Sequence, residues 1–425
     1  MKDKRLKDIE VYFTPDEAED NTLAYEVCYK GKAGMKLFAD RQTLGPTTAI
    51  AYPDLNDGYM VFPWAYVVYY NKDKVYYAPR WFVKGEFLLV LDRKTREYQY
   101  IKLKQSEHLL DAEENQEPKE FLLSNSDGYD YINSPRFEKI YSYQETLFLV
   151  PLTYPGIIKL STVTGELEYY TDFMGELLGE IQKRGGFTQP AFGNSVRIKD
   201  TVYLNCRDCN RVLAFDMETC ESRWIVLGER EYGNLFLLKE RETLHLFSGK
   251  SREVISYNTE TEELKEWEFP CDYTAFLRLW KGSFFLPAKD LTRKLYRIDA
   301  ETKEFLSADE LVHRMQPEES VVSLYADEEA LYVSTSYNRI FRYDGKLVQE
   351  KKITLTGEEL LYLKQQKIKF FSYDFPEMEE SDFFSLEDLV EKQIYEDFLS
   401  EQQGKETFGN GALIFNTIMK DDESV

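Results

Sequence analysis

Cys206-Arg-Asp-Cys209 has the spacing that opens a zinc site or a redox pair. The other cysteines, Cys28, Cys220 and Cys271, form no second pair at matching spacing, so the motif reads as ordinary loop residues. Histidine is scarcer: His108, His245 and His313 are the whole supply, and a three-histidine metal centre would need all of them to converge. No His-Glu-x-x-His, Gly-x-Ser-x-Gly or Gly-x-x-x-x-Gly-Lys-Ser/Thr sequence occurs. Lys183-Arg-Gly-Gly-Phe187 reads as a turn rather than a phosphate loop, and among 76 acidic residues coincidental carboxylate pairs are certain. These residues name no catalytic group, no metal and no cofactor. A different set stands out in a chain of net charge −23: Arg80, Trp81, Arg207, Arg211, Lys250, Arg252, Lys289, Arg293 and Arg339. Such cations bind carboxylates and phosphates, Arg in bidentate fashion, and Trp81 beside Arg80 adds a stacking surface.

What would bring them together is a repeated phrase, an apolar strand, a tight polar turn and a second strand rich in aromatics. It runs Phe87-Leu-Leu-Val-Leu-Asp-Arg-Lys-Thr95 before Tyr98, and Ile157-Ile-Lys-Leu-Ser-Thr-Val-Thr-Gly165 before Tyr169. It returns at Val212–Thr219, Val254–Thr261, Leu295–Thr302 and Ile340–Gly345. Each copy extends backwards into four strands, a to d; in the clearest these are Asn234–Leu238, Thr243–Phe247, Val254–Tyr257 and Leu264–Phe269. Period-two patterns such as Thr243-Leu-His-Leu-Phe247 favour strands over helices. In the turns, an Asp or Asn followed three residues later by Thr caps a type I turn, which makes these residues hairpin chemistry rather than ligands.

The Asp-x-x-Thr turns at Asp92–Thr95, Asp216–Thr219 and Asp299–Thr302, each after an apolar strand c, resemble the broad kelch-like, quinoprotein-like and WD-like superfamily of β-propellers. The resemblance covers about Val61 to Ile353 and matches no single family: the Trp-Asp and Gly-His signatures of WD repeats and the double glycine of kelch blades are missing. It implies an all-β propeller; the count of copies makes six blades preferred and seven the alternative, and the residues after Ile353 read as a helical C-terminal extension. Residues 1–60 hold strand-like pieces, Ile9–Phe13 and Leu23–Tyr29, that would supply a closing strand or a degenerate seventh blade. Residues 61–353 form the propeller and 354–425 an acidic, partly helical extension, with Leu386, Leu389, Val390 and Ile394 on one helix face. Propellers serve as scaffolds, hydrolases, lyases and oxidoreductases, so the fold alone gives no function.

On this frame the charges sort by face. The six b–c loops (79–86, 152–157, 206–211, 248–253, 288–294 and 334–339) total +6, while the six c–d turns total −10. The two sets emerge on opposite faces, so the cations named above would ring one mouth and concentrate an anion there. Two insertions, 104–134 and 171–193, join strand d to the next strand a on that same face, and the second contains a helix at Phe173–Gln182. The expectation is a binding or scaffold propeller holding an anionic small molecule, a glycan or an acidic protein segment. Two rivals are a propeller hydrolase or lyase using funnel carboxylates, and an assembly protein docking through its C-terminal helices. Against the binding expectation stands internal pairing, in which acidic insertions or the tail, with 14 acidic and 3 basic residues from Glu377 onward, neutralise the rim.

Composition bounds the setting. Apolar runs such as Ala65–Tyr70 are far shorter than the ~20 residues a bilayer needs, and the basic N-terminus lacks the apolar stretch of a secretory signal. Five scattered cysteines fit a reducing, cytoplasmic location rather than a disulfide framework. The acidic balance argues against nucleic acid as a partner.

Overall fold

The structure, a computed structural model, describes residues 9–13, 17–18, 22–29, 33–45, 48–50, 66–80, 87–95, 97–104, 136–183, 192–206, 210–228, 235–248, 251–273, 276–288 and 294–353. They form seven sheets arranged as a β-propeller. The ring therefore has the alternative count of seven rather than the preferred six, because the N-terminal segment supplies a full blade. Blade 1 begins with β1 (Ile9–Phe13); the chain then crosses to blade 2, where β2 (Glu17–Ala18) is an added inner strand, and returns to blade 1 as β3 (Thr22–Tyr29), β4 (Ala33–Asp40) and β5 (Thr48–Ile50). Blade 2 continues with β6 (Tyr66–Tyr70), which pairs in parallel with β2, then β7 (Lys74–Pro79), β8 (Phe87–Asp92) and β9 (Tyr98–Lys102).

Blade 3 consists of β10 (Phe137–Tyr143), β11 (Thr146–Pro151), β12 (Ile157–Ser161) and β13 (Leu167–Tyr170), followed by helix α1 (Met174–Lys183). Blade 4 is β14 (Phe192–Ile198), β15 (Thr201–Cys206), β16 (Arg211–Asp216) and β17 (Ser222–Val226). Blade 5 is β18 (Leu235–Glu240), β19 (Thr243–Ser248), β20 (Glu253–Asn258) and β21 (Leu264–Glu268). Blade 6 is β22 (Arg278–Trp280), β23 (Ser283–Pro287), β24 (Leu295–Asp299) and β25 (Phe305–Leu306). A short helix, α2 (Asp309–Val312), leads to blade 7: β26 (Val321–Ala326), β27 (Leu331–Thr335), β28 (Arg339–Tyr343) and β29 (Val348–Lys352). The predicted insertion helix is thus present as α1; the predicted C-terminal helices lie outside the described residues.

Strand character follows burial. The second strands, such as β7, β11 and β19, are buried on both faces and read as nearly unbroken apolar runs. The outer strands β9 and β21 are mostly exposed and polar or aromatic. The c–d turns are built as expected. In blade 4, Asp216 Oδ1 accepts the N–H groups of Glu218 and Thr219, both at 2.9 Å, and Thr219 Oγ1 accepts that of Glu221 at 3.3 Å. Cys220, at φ 60°, completes the turn in the left-handed region. Asp299 and Thr302 repeat this arrangement in blade 6, with Lys303 at φ 65°.

The same device closes blade 1. Asp40 Oδ1 accepts from Gln42 N and Thr43 N, Thr43 Oγ1 accepts from Gly45 N, and Leu44 sits at φ 51°. Asp40-Arg-Gln-Thr43 is therefore a seventh copy of the turn.

Cores lie between blades. Val11, Tyr25, Val27 and Leu37 of blade 1 pack on Ala330, Tyr332 and Ile340 of blade 7, which joins the two ends of the ring. Ser334 Oγ donates to Val11 O at 2.5 Å, Phe13 N donates to Ser323 Oγ at 3.2 Å, and Arg41 pairs with Asp327 at 3.6 Å. Blade 7 draws all four of its strands from one continuous stretch, so closure rests on side-chain packing and these polar ties rather than on a strand lent by the N-terminus.

Candidate functional site: the b–c and d–a face

Four of the nine predicted site residues, Arg80, Arg211, Arg252 and Arg339, are among the described residues. Trp81, Arg207, Lys250, Lys289 and Arg293 lie outside them, as does Cys209. Each of the four stands at the b–c end of its blade, and each meets a carboxylate.

Arg80, just after β7, donates to Glu138 Oε2 at 2.9 Å. Glu138 lies within β10 where the register with β11 shifts between Phe137 and Lys139. Such a bulge re-aims a side chain out of the alternation, and this one sends a carboxylate to the neighbouring blade. The side chains are 13% and 4% exposed, so the pair is withdrawn from water. Arg211, opening β16, is gripped by Glu176 and by Glu180 at 3.4 Å. These two glutamates stand one helical turn apart on α1, which packs through Met174 and Leu177 into the core between blades 3 and 4.

Arg339, opening β28, has the densest surroundings. Its Nε donates to Glu319 Oε1 at 2.9 Å, one Nη to Glu350 at 2.8 Å and the other to the Arg314 carbonyl at 3.0 Å. Glu319 also accepts from the Thr335 hydroxyl and from Gln316 N at 2.8 Å. Burial pulls the Glu319 carboxyl upward, but Arg339, Thr335 and the Gln316 amide outweigh it and hold the group below the usual carboxylate range. Lys294 donates to the Glu319 carbonyl at 2.6 Å, which fastens the same connection from blade 6.

Arg252 differs. It meets Asp272 at 2.9 Å, with side chains 52% and 75% exposed. A pair so open to water contributes little and exchanges partners readily.

The structure therefore ties three rim arginines into fastenings between b–c ends and the acids of d–a connections and neighbouring strands, and it leaves Arg252 at the surface. The partners Glu138, Asp272, Glu319 and Glu350 carry no local signal in the sequence; Glu176 and Glu180, four residues apart on a predicted helix, do. Cys206 is a buried free thiol. Among the described residues no group of three or more His, Cys, Asp or Glu side chains comes together as a metal site. His245 is engaged within blade 5, its Nδ1 lying 2.9 Å from Ser256 Oγ.

No known protein family matches the chain, and no curated protein matches it either. Solved structures similar to it are propeller proteins of low identity. A catalytically inactive virginiamycin B lyase from Staphylococcus aureus with quinupristin is 10% identical over 79% of this chain and 94% of its own, at a TM-score of 0.46. BamB from Moraxella catarrhalis is 10% identical, covering 79% and 83%, at 0.41. The extracellular domain of a hybrid two-component system from B. thetaiotaomicron is 13% identical at 0.46; the match spans 77% of this chain and 40% of that one.

Proposed function

We propose that this chain is a binding scaffold, which holds an anionic small molecule, a glycan or an acidic protein segment on the b–c and d–a face of its propeller. Arg252 is the contact among the described residues, and Arg207, Lys250, Lys289 and Arg293, cations of the b–c loops of blades 4 to 6 in the sequence, complete the set. The observation that supports this reading is the division of labour on the rim. Arg80, Arg211 and Arg339 are sunk in ion pairs that hold connections in place, whereas Arg252 sits in a pair whose acid, Asp272, is itself mostly exposed. An arriving carboxylate or phosphate replaces Asp272 at small cost, because both groups already face water. Among the described residues the thiols of Cys206, Cys220 and Cys271 are free, which supports a reducing, cytoplasmic setting for the task.

The test is a thermal-shift and calorimetric screen with inorganic phosphate, a uronic-acid oligosaccharide and an Asp/Glu-rich peptide. The expected result is stabilisation by at least one probe, lost in the Arg252→Glu, Arg293→Glu double variant and weakened by salt. Equal responses from wild type and double variant would refute the assignment.

A further inference from the structure

Positive charge also collects along blade 2, from its c–d turn to the d–a end of β9. From Tyr66 to Lys104, the span of blade 2, there are nine Lys or Arg and four Asp or Glu, a local excess of five positive charges in a chain of net −23. Three of those five come from the c–d turn and the outer strand, where Arg93, Lys94, Arg96, Lys102 and Lys104 stand against Asp92 and Glu97. In β9 and the two residues after it there is no acidic side chain, and Lys102 and Lys104 are exposed, as is Lys94 in the turn before it. Among the described residues none of these three lysines lies within ion-pair reach of a carboxylate. By contrast β13, β21 and β29 each contain acids, Glu168, Glu266 with Glu268, and Glu350; β17 contains none, but its Arg223 pairs with Glu262 at 3.6 Å.

The aromatic side chains of this edge also differ from those of blades 3 to 5; on blade 6, Phe305 of β25 is exposed as well. Tyr170, Trp224 and Trp267, on the outer strands of blades 3 to 5, pack against cores between blades. Phe87, Tyr98 and Tyr100 of blade 2 are instead 42%, 38% and 56% exposed. The register places Tyr98 opposite Leu91, Tyr100 opposite Leu89 and Lys102 opposite Phe87, so all three aromatics and Lys102 share one face of the sheet. Phe87 and Tyr100 meet edge to face at 6.1 Å. Among the described residues β9 pairs with β8 alone and its outer side has no strand. Its far end is anchored, since Lys104 N donates to the Tyr169 hydroxyl at 3.0 Å and its carbonyl accepts from Tyr154 at 2.6 Å.

We propose that the outer edge of blade 2 docks an acidic, extended protein segment, which adds to β9 as a further strand. Backbone groups of β9 supply the hydrogen bonds, Phe87, Tyr98 and Tyr100 take apolar side chains at alternate positions, and Lys94, Lys102 and Lys104 select carboxylates. The lysines that admit an acidic strand also repel a second copy of the same edge, which is how edge strands avoid self-pairing.

The experiment titrates the full chain into a fluorescein-labelled peptide alternating Glu and Val, with the Lys/Val peptide as control, by fluorescence anisotropy. The acidic peptide should bind and the basic one should not. Lys102→Glu with Lys104→Glu should weaken binding by roughly tenfold, as expected when two rim charges are reversed, and Tyr100→Ser should weaken it as well. Zero-length carboxyl-to-amine cross-linking should place peptide adducts on Lys94, Lys102 and Lys104. Absence of binding, unchanged affinity in the variants, or adducts spread over other lysines overturns the proposal. So does a dimer that the double variant dissociates, which makes a second copy the occupant. Cross-links from residues 377–425 of the same chain to Lys102 in the peptide-free protein also overturn it.

Discussion

Arg80 and Glu138 meet at 2.9 Å across the boundary between blades 2 and 3, both side chains nearly withdrawn from water. The pair joins the end of one blade's second strand to a bulge in the next blade's first strand, so it reports on how the blades are fastened. The Arg80 Nε is buried without a partner, so the guanidinium is only partly satisfied. Removing the Glu138 carboxylate leaves the Arg80 charge buried without its ion-pair partner, which typically costs about 3 kcal/mol or more. Glu138→Ala should therefore lower stability by about that amount in urea unfolding. Arg80→Met combined with Glu138→Leu should recover most of the loss, since a matched apolar pair needs no solvation. A double variant as weak as the single one would show that the pair contributes more than charge compensation.

Gly193 lies in the second such bulge, where the register of β14 shifts between Phe192 and Ser195. A Cβ there would come within 2.4 Å of Asn205 Nδ2 and 2.6 Å of Oδ1, and Asn205 is fully buried. Gly193→Ala should cost about 1–3 kcal/mol through overpacking. Gly165→Ala gives the contrast: its Cβ would meet nothing within 4 Å, and only its φ of +76° resists, so a loss of about 1 kcal/mol is expected. Equal losses at the two sites would mean that the contact with Asn205 relaxes freely.

The turn carboxylates should make their own signature in acid. Backbone N–H groups of Thr95 and Lys94 hold the Asp92 carboxyl below its usual range, those of Thr302 and Glu301 do so for Asp299, and those of Leu347 and Lys346 for Asp344. A carboxyl lowered in the folded state contributes stability that is present above its unfolded pKa and lost as pH falls through the folded one. These contributions should therefore disappear below about pH 4. Asp299→Ala should lower Tm at neutral pH, and Asp299→Asn, which keeps an acceptor oxygen, should lower it less while removing the acid dependence at this site. Identical melting of the two variants would rule out the acceptor role.

The propeller was legible because its turns repeat a local chemistry that does not depend on distant partners. Blade 1, the blade that raises the count to seven, was harder to see for a physical reason. Its first strand is parted from the second by the crossing to blade 2, and its fourth strand is only three residues long, so Asp40–Thr43 had no full phrase around it. The charge pattern on the b–c ends was legible as composition, and its meaning was not. Arg80 and Glu138 are 58 residues apart, and Arg339 and Glu319 are 20 apart, with neither spacing tied to a helix or a turn. Pairs of that kind are set by how blades pack, which one strand's pattern does not encode. The edge of blade 2 was hidden for the converse reason: its aromatics match the other outer strands in type and differ only in what covers them.

His245 should make the protein sensitive to mild acid. It sits in β19 with Nδ1 2.9 Å from Ser256 Oγ, and that oxygen also accepts the Trp267 Nε1–H at 2.8 Å. Its Nε2 is buried without a partner, and the ring meets Trp267 and Phe284 edge-on. Lys303, from the c–d turn of blade 6, places its ammonium 3.6 Å from the centre of the same Trp267 ring. Burial, with the nearby Lys303 charge adding to it, lowers the His245 pKa from 6.5 to about 4. The unfolded chain thus binds a proton between those values that the folded one refuses, so stability is full above pH 6.5 and falls as pH drops towards 4. The whole window corresponds to about 3 kcal/mol. Urea unfolding at pH 7, 6 and 5 should show this decline in wild type and a flatter profile in His245→Leu, which keeps the Ser256–Trp267 bond and removes the titrating ring. The decline lies at higher pH than that of the turn aspartates, so the two are separable in one titration. Parallel curves for wild type and His245→Leu would assign the acid sensitivity to other groups.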